Sequence, residues 1–302
     1  MADFIEIVEV SPRDGIQNEP KLLDRDQKIA LIERSIDAGL RRVEVTSFVN
    51  PKRVPQMADA DALAAKLPKS SDTRFIGLTL NRRGFERAAA AGLHEANFVI
   101  VASDSFNRRN QGVSSAESIA AFAEIAASNQ DRIAVGVTIA AAFGCPFEGE
   151  VPLSRLMAVV EAVMAQNPAE LTLADTIGVA TPGDIRERVS ALREAFPQVK
   201  LRLHLHNTRN NGFANAWAGI EAGVTAFDAS LGGVGGCPFA PKATGNIATE
   251  DLVYQLDRAG VQTHIDLDKA IDAALWLEAQ LEKPLPGMVM KAGSFPKPLS
   301  QA

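Results

Sequence analysis

The segment Leu201-Arg202-Leu203-His204-Leu205-His206-Asn207 holds two of the chain's four histidines, one residue apart. Side chains alternate faces along a strand. Leu201, Leu203 and Leu205 then share one face, and Arg202, His204 and His206 share the other. Two imidazoles one pleat apart can grip a single metal ion; the plainer reading is a pair of polar residues lining a barrel. Arg13-Asp14 follows another apolar run. A carboxylate there could complete a two-histidine, one-carboxylate set, whose hard oxygen and imidazole donors suit Mg²⁺ or Mn²⁺. The plainer reading of Arg13-Asp14 is a turn with a local ion pair.

Glu44 lies between Val43 and Val45. A carboxylate within a buried strand is costly unless paired, and Arg13 and Arg202 are the expected partners. Asp175 ends Leu173-Ala174-Asp175-Thr176, where it serves either a site or the following turn. The segment from Gly232 to Asn246 carries five glycines by Gly245, with Pro238 and Pro241. Such a run allows backbone to approach a ligand closely. A thiol exposed there would be a liability without a task, so Cys237 reads as an acid/base group or nucleophile. Asn246 either caps the next helix or offers its carbonyl oxygen to a cation. Cys145, in Phe143-Gly144-Cys145-Pro146, reads as a structural thiol.

These residues must be held by elements, and short apolar runs recur along the chain. They start near Phe4, Arg42, Arg74, Glu95, Ile133, Glu170, Leu201 and Val224. They are short and rich in Val, Ile and Thr, as strands are. Helical periodicity fills the stretches 24–38, 115–129, 181–196 and 210–222. Eight such units predict an α/β chain folded as a (β/α)₈ TIM barrel with extra C-terminal helices. A doubly wound sheet is the alternative, but the first strand runs into Ser11-Pro12-Arg13-Asp14 and not into a glycine-rich phosphate loop. No linker composition interrupts the sequence. One barrel domain over 1–302 is expected, with 255–302 as a C-terminal helical extension. Barrel sites form where strands end, which is where the candidate residues fall.

A net charge of −6 argues against nucleic acid as a partner. The first residues carry no basic and apolar leader, and no apolar run approaches membrane-spanning length. Two cysteines are too few for a disulfide framework. A cytoplasmic protein with free thiols is expected, with no membrane partner.

Several segments together resemble the 3-hydroxy-3-methylglutaryl-CoA lyase family. Ser11-Pro12-Arg13-Asp14-Gly15-Ile16-Gln17-Asn18-Glu19 is similar to its first-strand motif, and Val43-Glu44-Val45-Thr46-Ser47-Phe48-Val49 to its second. Asp175-Thr176-Ile177-Gly178, His204-Leu205-His206-Asn207-Thr208 and Gly235-Gly236-Cys237-Pro238-Phe239-Ala240 follow in the family's order. Gly245-Asn246-Ile247-Ala248-Thr249-Glu250-Asp251-Leu252-Val253-Tyr254 completes the set. The resemblance implies a divalent metal held by Asp14, His204, His206 and Asn246. It implies Arg13 at the substrate's thioester carbonyl, Cys237 in proton transfer, Glu44 and Asp175 in support, and Gln17 nearby. Lys242 stands where the family pattern has a smaller residue. There it meets a substrate carboxylate or a CoA phosphate, or is simply a solvated lysine.

The implied reaction is metal-dependent retro-Claisen cleavage of 3-hydroxy-3-methylglutaryl-CoA to acetyl-CoA and acetoacetate, a step of leucine catabolism and ketone-body formation. Another 3-hydroxy-3-substituted acyl-CoA, such as citramalyl-CoA, is the alternative within that class. A condensing synthase and a non-catalytic ligand-binding barrel are more distant ones. The expected partner is an acyl-CoA thioester, with Lys52 or Arg108-Arg109 open to its phosphates, and the chain is a candidate homodimer or higher homo-oligomer.

Overall fold

The computed structural model describes residues 3–69, 72–130, 132–236 and 245–295. Eight parallel strands close into a barrel. They are β1 (Glu6–Glu9), β2 (Arg42–Ser47), β3 (Arg74–Thr79), β4 (Glu95–Val101), β5 (Ala134–Ala140), β6 (Glu170–Asp175), β7 (Leu201–Leu205) and β8 (Ala226–Ala229). Around the barrel their order is β1-β8-β7-β6-β5-β4-β3-β2. Closure excludes the doubly wound sheet. The first and last strands are shorter than the apolar runs that announced them. Phe4 makes only an isolated bridge to Gln262.

The helices are α1 (Arg25–Asp37), α2 (Ala60–Ala64), α3 (Arg82–Ala90), α4 (Asp104–Gln111), α5 (Ser115–Asn129) and α6 (Leu153–Met164). Then come α7 (Pro182–Ala195), α8 (Gly212–Glu221), α9 (Thr249–Arg258), α10 (Leu267–Leu281) and α11 (Val289–Ala292). Capping boxes start three of them, with Asp24, Ser114 and Thr181 as the caps. In each, a side-chain oxygen accepts an N–H that the helix itself leaves unpartnered. α10 packs against α1 and α9, and the boundary expected at residue 255 falls inside α9.

Burial explains how the strands face. On β5, Val135, Val137 and Ile139 are buried outward among the helices, while Ala134, Gly136 and Thr138 are only half-buried. The barrel is therefore hollow along the inner face of β5. At the opposite end from the candidate site, the strand N-termini are closed by charge. Arg42 donates to Glu6, Glu95 and Glu170, and Arg74 also donates to Glu95.

Candidate active site

The chain after β1 turns at once, in a single wide π-helical turn from Ser11 to Gly15. This turn carries Arg13 and Asp14 into the mouth of the barrel. Arg13 donates through Nε and Nη2 to the two oxygens of Glu44 at 2.8 and 2.9 Å, and through Nη1 to Asp14 Oδ1 at 2.7 Å. Glu44, buried on β2, thus lies beside the first of its two expected partners. Among the described residues three of the five guanidinium N–H groups are occupied, and the others remain for a ligand. Burial opposes the charge on Arg13, but Glu44 and Asp14 keep it cationic.

β7 presents His204 and His206 on its inner face. His204 Nδ1 lies 3.0 Å from Asp228 Oδ2, so Nδ1–H donates to the carboxylate and Nε2 is aimed into the mouth. The Nε2 atoms of His204 and His206 stand 3.1 Å apart. Asp14 Oδ2 is 3.8 Å from His204 Nε2. Burial alone would raise the Asp14 carboxyl, yet Arg13 and the two histidines hold it well below the usual carboxylate range. Burial, then the neighbouring His204, pushes His206 down to about 4.

Asn246 lies across from these groups, antiparallel-bridged to His206. Its Nδ2 donates to Asp14 Oδ2 and to the Val234 carbonyl at 2.9 and 3.1 Å, and its buried Oδ1 has no partner among the described residues. Capping, one of its two expected roles, is corrected: α9 begins three residues later, with Ala248 in the cap position. Two glycines make room for this approach. A Cβ on Gly235, at φ +134°, would come within 2.6 Å of Asn246 Nδ2, and one on Gly245 would overlap the Gly233 carbonyl.

One ligand atom from each of Asp14, His204 and His206 falls within 4.8 Å of the others. The donor set fits a divalent cation. It holds an ionised carboxylate, two imidazoles whose nitrogens otherwise crowd each other, and a buried amide oxygen without a partner.

Asp175 shows the turn-fastening contacts that were one of its two expected roles. Its carboxylate oxygens accept from Val179 N and Ala180 N at 2.9 and 3.1 Å, so it fastens the turn after β6. Gln17 lines the cavity, and its Oε1 accepts from the Ser47 hydroxyl at 3.4 Å. Cys237 and Lys242 lie outside the described residues. Cys145 is buried, with Sγ 2.9 Å from Ser103 Oγ and two backbone N–H groups directed at it.

Two groups escaped the reading of the sequence. Asp228 fixes the His204 ring, and it pairs in register with His204 across β8 and β7. An inward acid beside an inward histidine on the neighbouring strand was the available signal. Glu9 is the other. It is fully buried, and it accepts from Ser11 N, Leu231 N and Thr249 Oγ1, tying β1 to the segments that flank the site.

A cavity of about 880 Å³ opens over the cluster. Arg53 and Arg109 stand at its rim, the latter with its guanidinium 4.4 Å from the Phe147 ring. Of the expected phosphate contacts, Arg108 instead pairs with Asp104 on the surface, and Lys52 does not line the cavity.

A closed (β/α)₈ barrel with a cation-ready cluster at the strand C-termini defines a class of barrel enzymes built around an electrophilic centre. Within that class the chain belongs to the HMGL-like family, whose model matches residues 4–276. It is 46% identical to the (R)-citramalyl-CoA lyase of Chloroflexus aurantiacus, over 99% of this chain and 98% of that protein. It is 38% identical to a hydroxymethylglutaryl-CoA lyase of Bacillus subtilis, over 93% and 95%. Its structure superposes with a TM-score of 0.94 on an HMG-CoA lyase from Acinetobacter baumannii in complex with coenzyme A and 3-methylmalate. That pair is 40% identical and covers 98% of both chains. The chain is accordingly a carbon–carbon lyase, and a ligand-binding barrel without activity is set aside. Among the described residues no helix is long and apolar enough to cross a membrane.

Proposed function

We propose that this lyase cleaves a 3-hydroxy-3-methyl acyl-CoA that carries a free carboxylate. The C3 hydroxyl gives up its proton as the C2–C3 bond breaks, C3 leaves as the carbonyl carbon of a keto acid, and C2 leaves as the enolate carbon of acetyl-CoA, which takes up a proton in turn, so none is consumed overall. The observation that carries this reading is the convergence of Asp14, His204 and His206 beside the unpartnered Asn246 Oδ1 and the cationic Arg13.

Asp14, His204, His206 and Asn246 would hold Mg²⁺ or Mn²⁺, which supplies Lewis-acid stabilisation of charge on the C3 oxygen. The chain's own residues do the remainder. Arg13 directs its two unoccupied N–H groups at the thioester oxygen, where negative charge grows as the bond breaks. Glu44 fixes the guanidinium plane so that no reorganisation is needed at that moment. Asp228 keeps His204 in one tautomer and one orientation. Cys237 is the proposed proton donor to C2, with Gln17 beside the acyl group and Lys242 a candidate contact for an anionic group. Arg53 and Arg109 are suited to the phosphates of CoA.

(R)-Citramalyl-CoA, which would give pyruvate, is the favoured substrate, supported by the 46% identity to a lyase of that name. 3-Hydroxy-3-methylglutaryl-CoA, which would give acetoacetate and was the first expectation from sequence, is the second reading. It is supported by the 38% and 40% relatives. The test is chelator-stripped protein given Mg²⁺ or Mn²⁺ and each thioester in turn, with pyruvate, acetoacetate and acetyl-CoA assayed. Metal-restored release of acetyl-CoA with one keto acid is expected. Failure on both thioesters would end the proposal.

A further inference from the structure

The cavity has two unlike walls. Arg13, Asp14, His204, His206 and Asp228 come from the turn after β1 and from β7 and β8. The strands β3 to β6 form the facing wall. In the closed order β4 stands four strands from β8, and β5 four from β1, so the two walls are diametrically opposed. The strand residues that face the cavity there are Leu78, Asn97, Val99, Thr138, Ala140 and Ala174. Four are aliphatic, and Asn97 and Thr138 are polar.

Among the described residues these two bond only to each other. Asn97 Nδ2 donates to Thr138 Oγ1 at 3.0 Å, and Thr138 Oγ1 donates to Asn97 Oδ1 at 3.1 Å. An amide nitrogen carries two hydrogens, and a threonine hydroxyl has two lone pairs and a rotatable proton. The pair therefore leaves one Asn97 N–H without a partner among the described residues, and a Thr138 O–H that can turn from Asn97 Oδ1 to a stronger acceptor. Asn97 is only 3% exposed. A polar pair in an apolar wall is costly unless something satisfies it. The hollow inner face of β5, with Gly136 below Thr138, leaves space for a ligand group to reach them.

We infer that Asn97 and Thr138 receive the carboxylate of the acyl group and so select the acyl chain. The inference rests on the function proposed above. In that reading the C3 oxygen and the thioester oxygen of the substrate are engaged at the mouth of the barrel. The acyl carboxylate is the one polar group left, and these are the polar donors left on the strands of the facing wall. Two neutral donors across a fixed width also measure length. A carboxylate directly on C3 and one a methylene further out meet the pair at different depths.

The experiment compares two thioesters on the metal-loaded enzyme. One is the carboxylated substrate that wild type cleaves. The other is 3-hydroxy-3-methylbutyryl-CoA, which has methyl in place of the carboxylate-bearing group, with its dissociation constant measured by calorimetry. Thr138→Val keeps the shape and removes the hydroxyl. Its KM for the carboxylated thioester should rise about 10-fold or more, the worth of a hydrogen bond to a charged group. Its affinity for the uncharged analogue should stay within about 2-fold, because no such bond is lost there. Thr138→Ser should restore the wild-type KM, and Asn97→Asp, which sets like charge against the carboxylate, should lose more than Thr138→Val. Equal losses on both thioesters, or no loss on either, would overturn the inference and leave the lyase reading intact. Wild type that cleaves no carboxylated thioester would overturn both.

Discussion

Both ends of this barrel are crowded with buried charge, and they treat it in opposite ways. At the strand N-termini Arg42 makes five hydrogen bonds to Glu6, Glu95 and Glu170, at 2.7 to 3.2 Å, which occupies every guanidinium N–H. At the strand C-termini the charges are left incomplete. Among the described residues two imidazole nitrogens face each other, the Asn246 carbonyl oxygen and His206 Nδ1 have no partner, and Arg13 retains free donors. The same strands carry both sets: β7 supplies Arg202 as well as His204, and β2 supplies Arg42 as well as Glu44. Buried charge that is fully partnered holds a structure together; buried charge left open is waiting for a ligand.

That contrast can be broken by experiment. His204→Ala should lower turnover by about 10³-fold, the several kcal/mol that such a centre contributes, while the melting temperature stays level or rises, since an open polar group has been removed. Turnover and scanning calorimetry on the same preparation would check both halves. A large loss of stability would mean the upper cluster is structural. Arg42→Met should do the reverse. Stability should fall by about 3 kcal/mol, because Glu95 is left with Arg74 alone and Glu170 with Arg202 alone in a buried setting. The rate per folded molecule should stay near wild type, as read by urea titration and active-site-normalised kinetics.

A smaller effect sharpens the comparison with an acid that belongs to neither set. Glu250 accepts from Gly232 N, is fully buried, and is pushed up to about 8 by burial. It is held as a neutral acid and needs no cation. Its folded form binds a proton that the unfolded chain has released, so its contribution is complete below about pH 4.5. It declines by about 1 kcal/mol per pH unit until the pH passes its raised value. Glu250→Gln should flatten the melting temperature between pH 5 and 8 relative to wild type. An unchanged slope would mean that this carboxyl is ionised in the fold.

Much of this was legible in the chain itself. The period-two placement of His204 and His206 and the abrupt polar end of the first strand pointed to the mouth of a barrel. Alternation alone did not separate the two jobs of a carboxylate. Asp175 ends β6 and Asp228 is the last residue but one of β8, yet one fastens a backbone turn and the other orients a histidine, and only the register between neighbouring strands tells them apart. Asn97 was invisible for a related reason. In Glu95-Ala96-Asn97-Phe98 it looks like an ordinary strand polar residue, and its meaning comes from Thr138 on the next strand. Asn246 was noticed, but its glycine-rich approach was too irregular to show where the helix would start.

The polar column from Arg42 through Glu170, Arg202 and Asp228 to His204 stands mainly on β6, β7 and β8. The wall of β3 to β5 takes little part in it beyond Glu95. Three of the eight strands are therefore free to change. A mutational library confined to Asn97, Val99, Thr138 and Ala140 could retune which acyl group enters while the machinery opposite is inherited intact. A barrel divided in this way allows relatives to diverge in substrate without relearning the reaction.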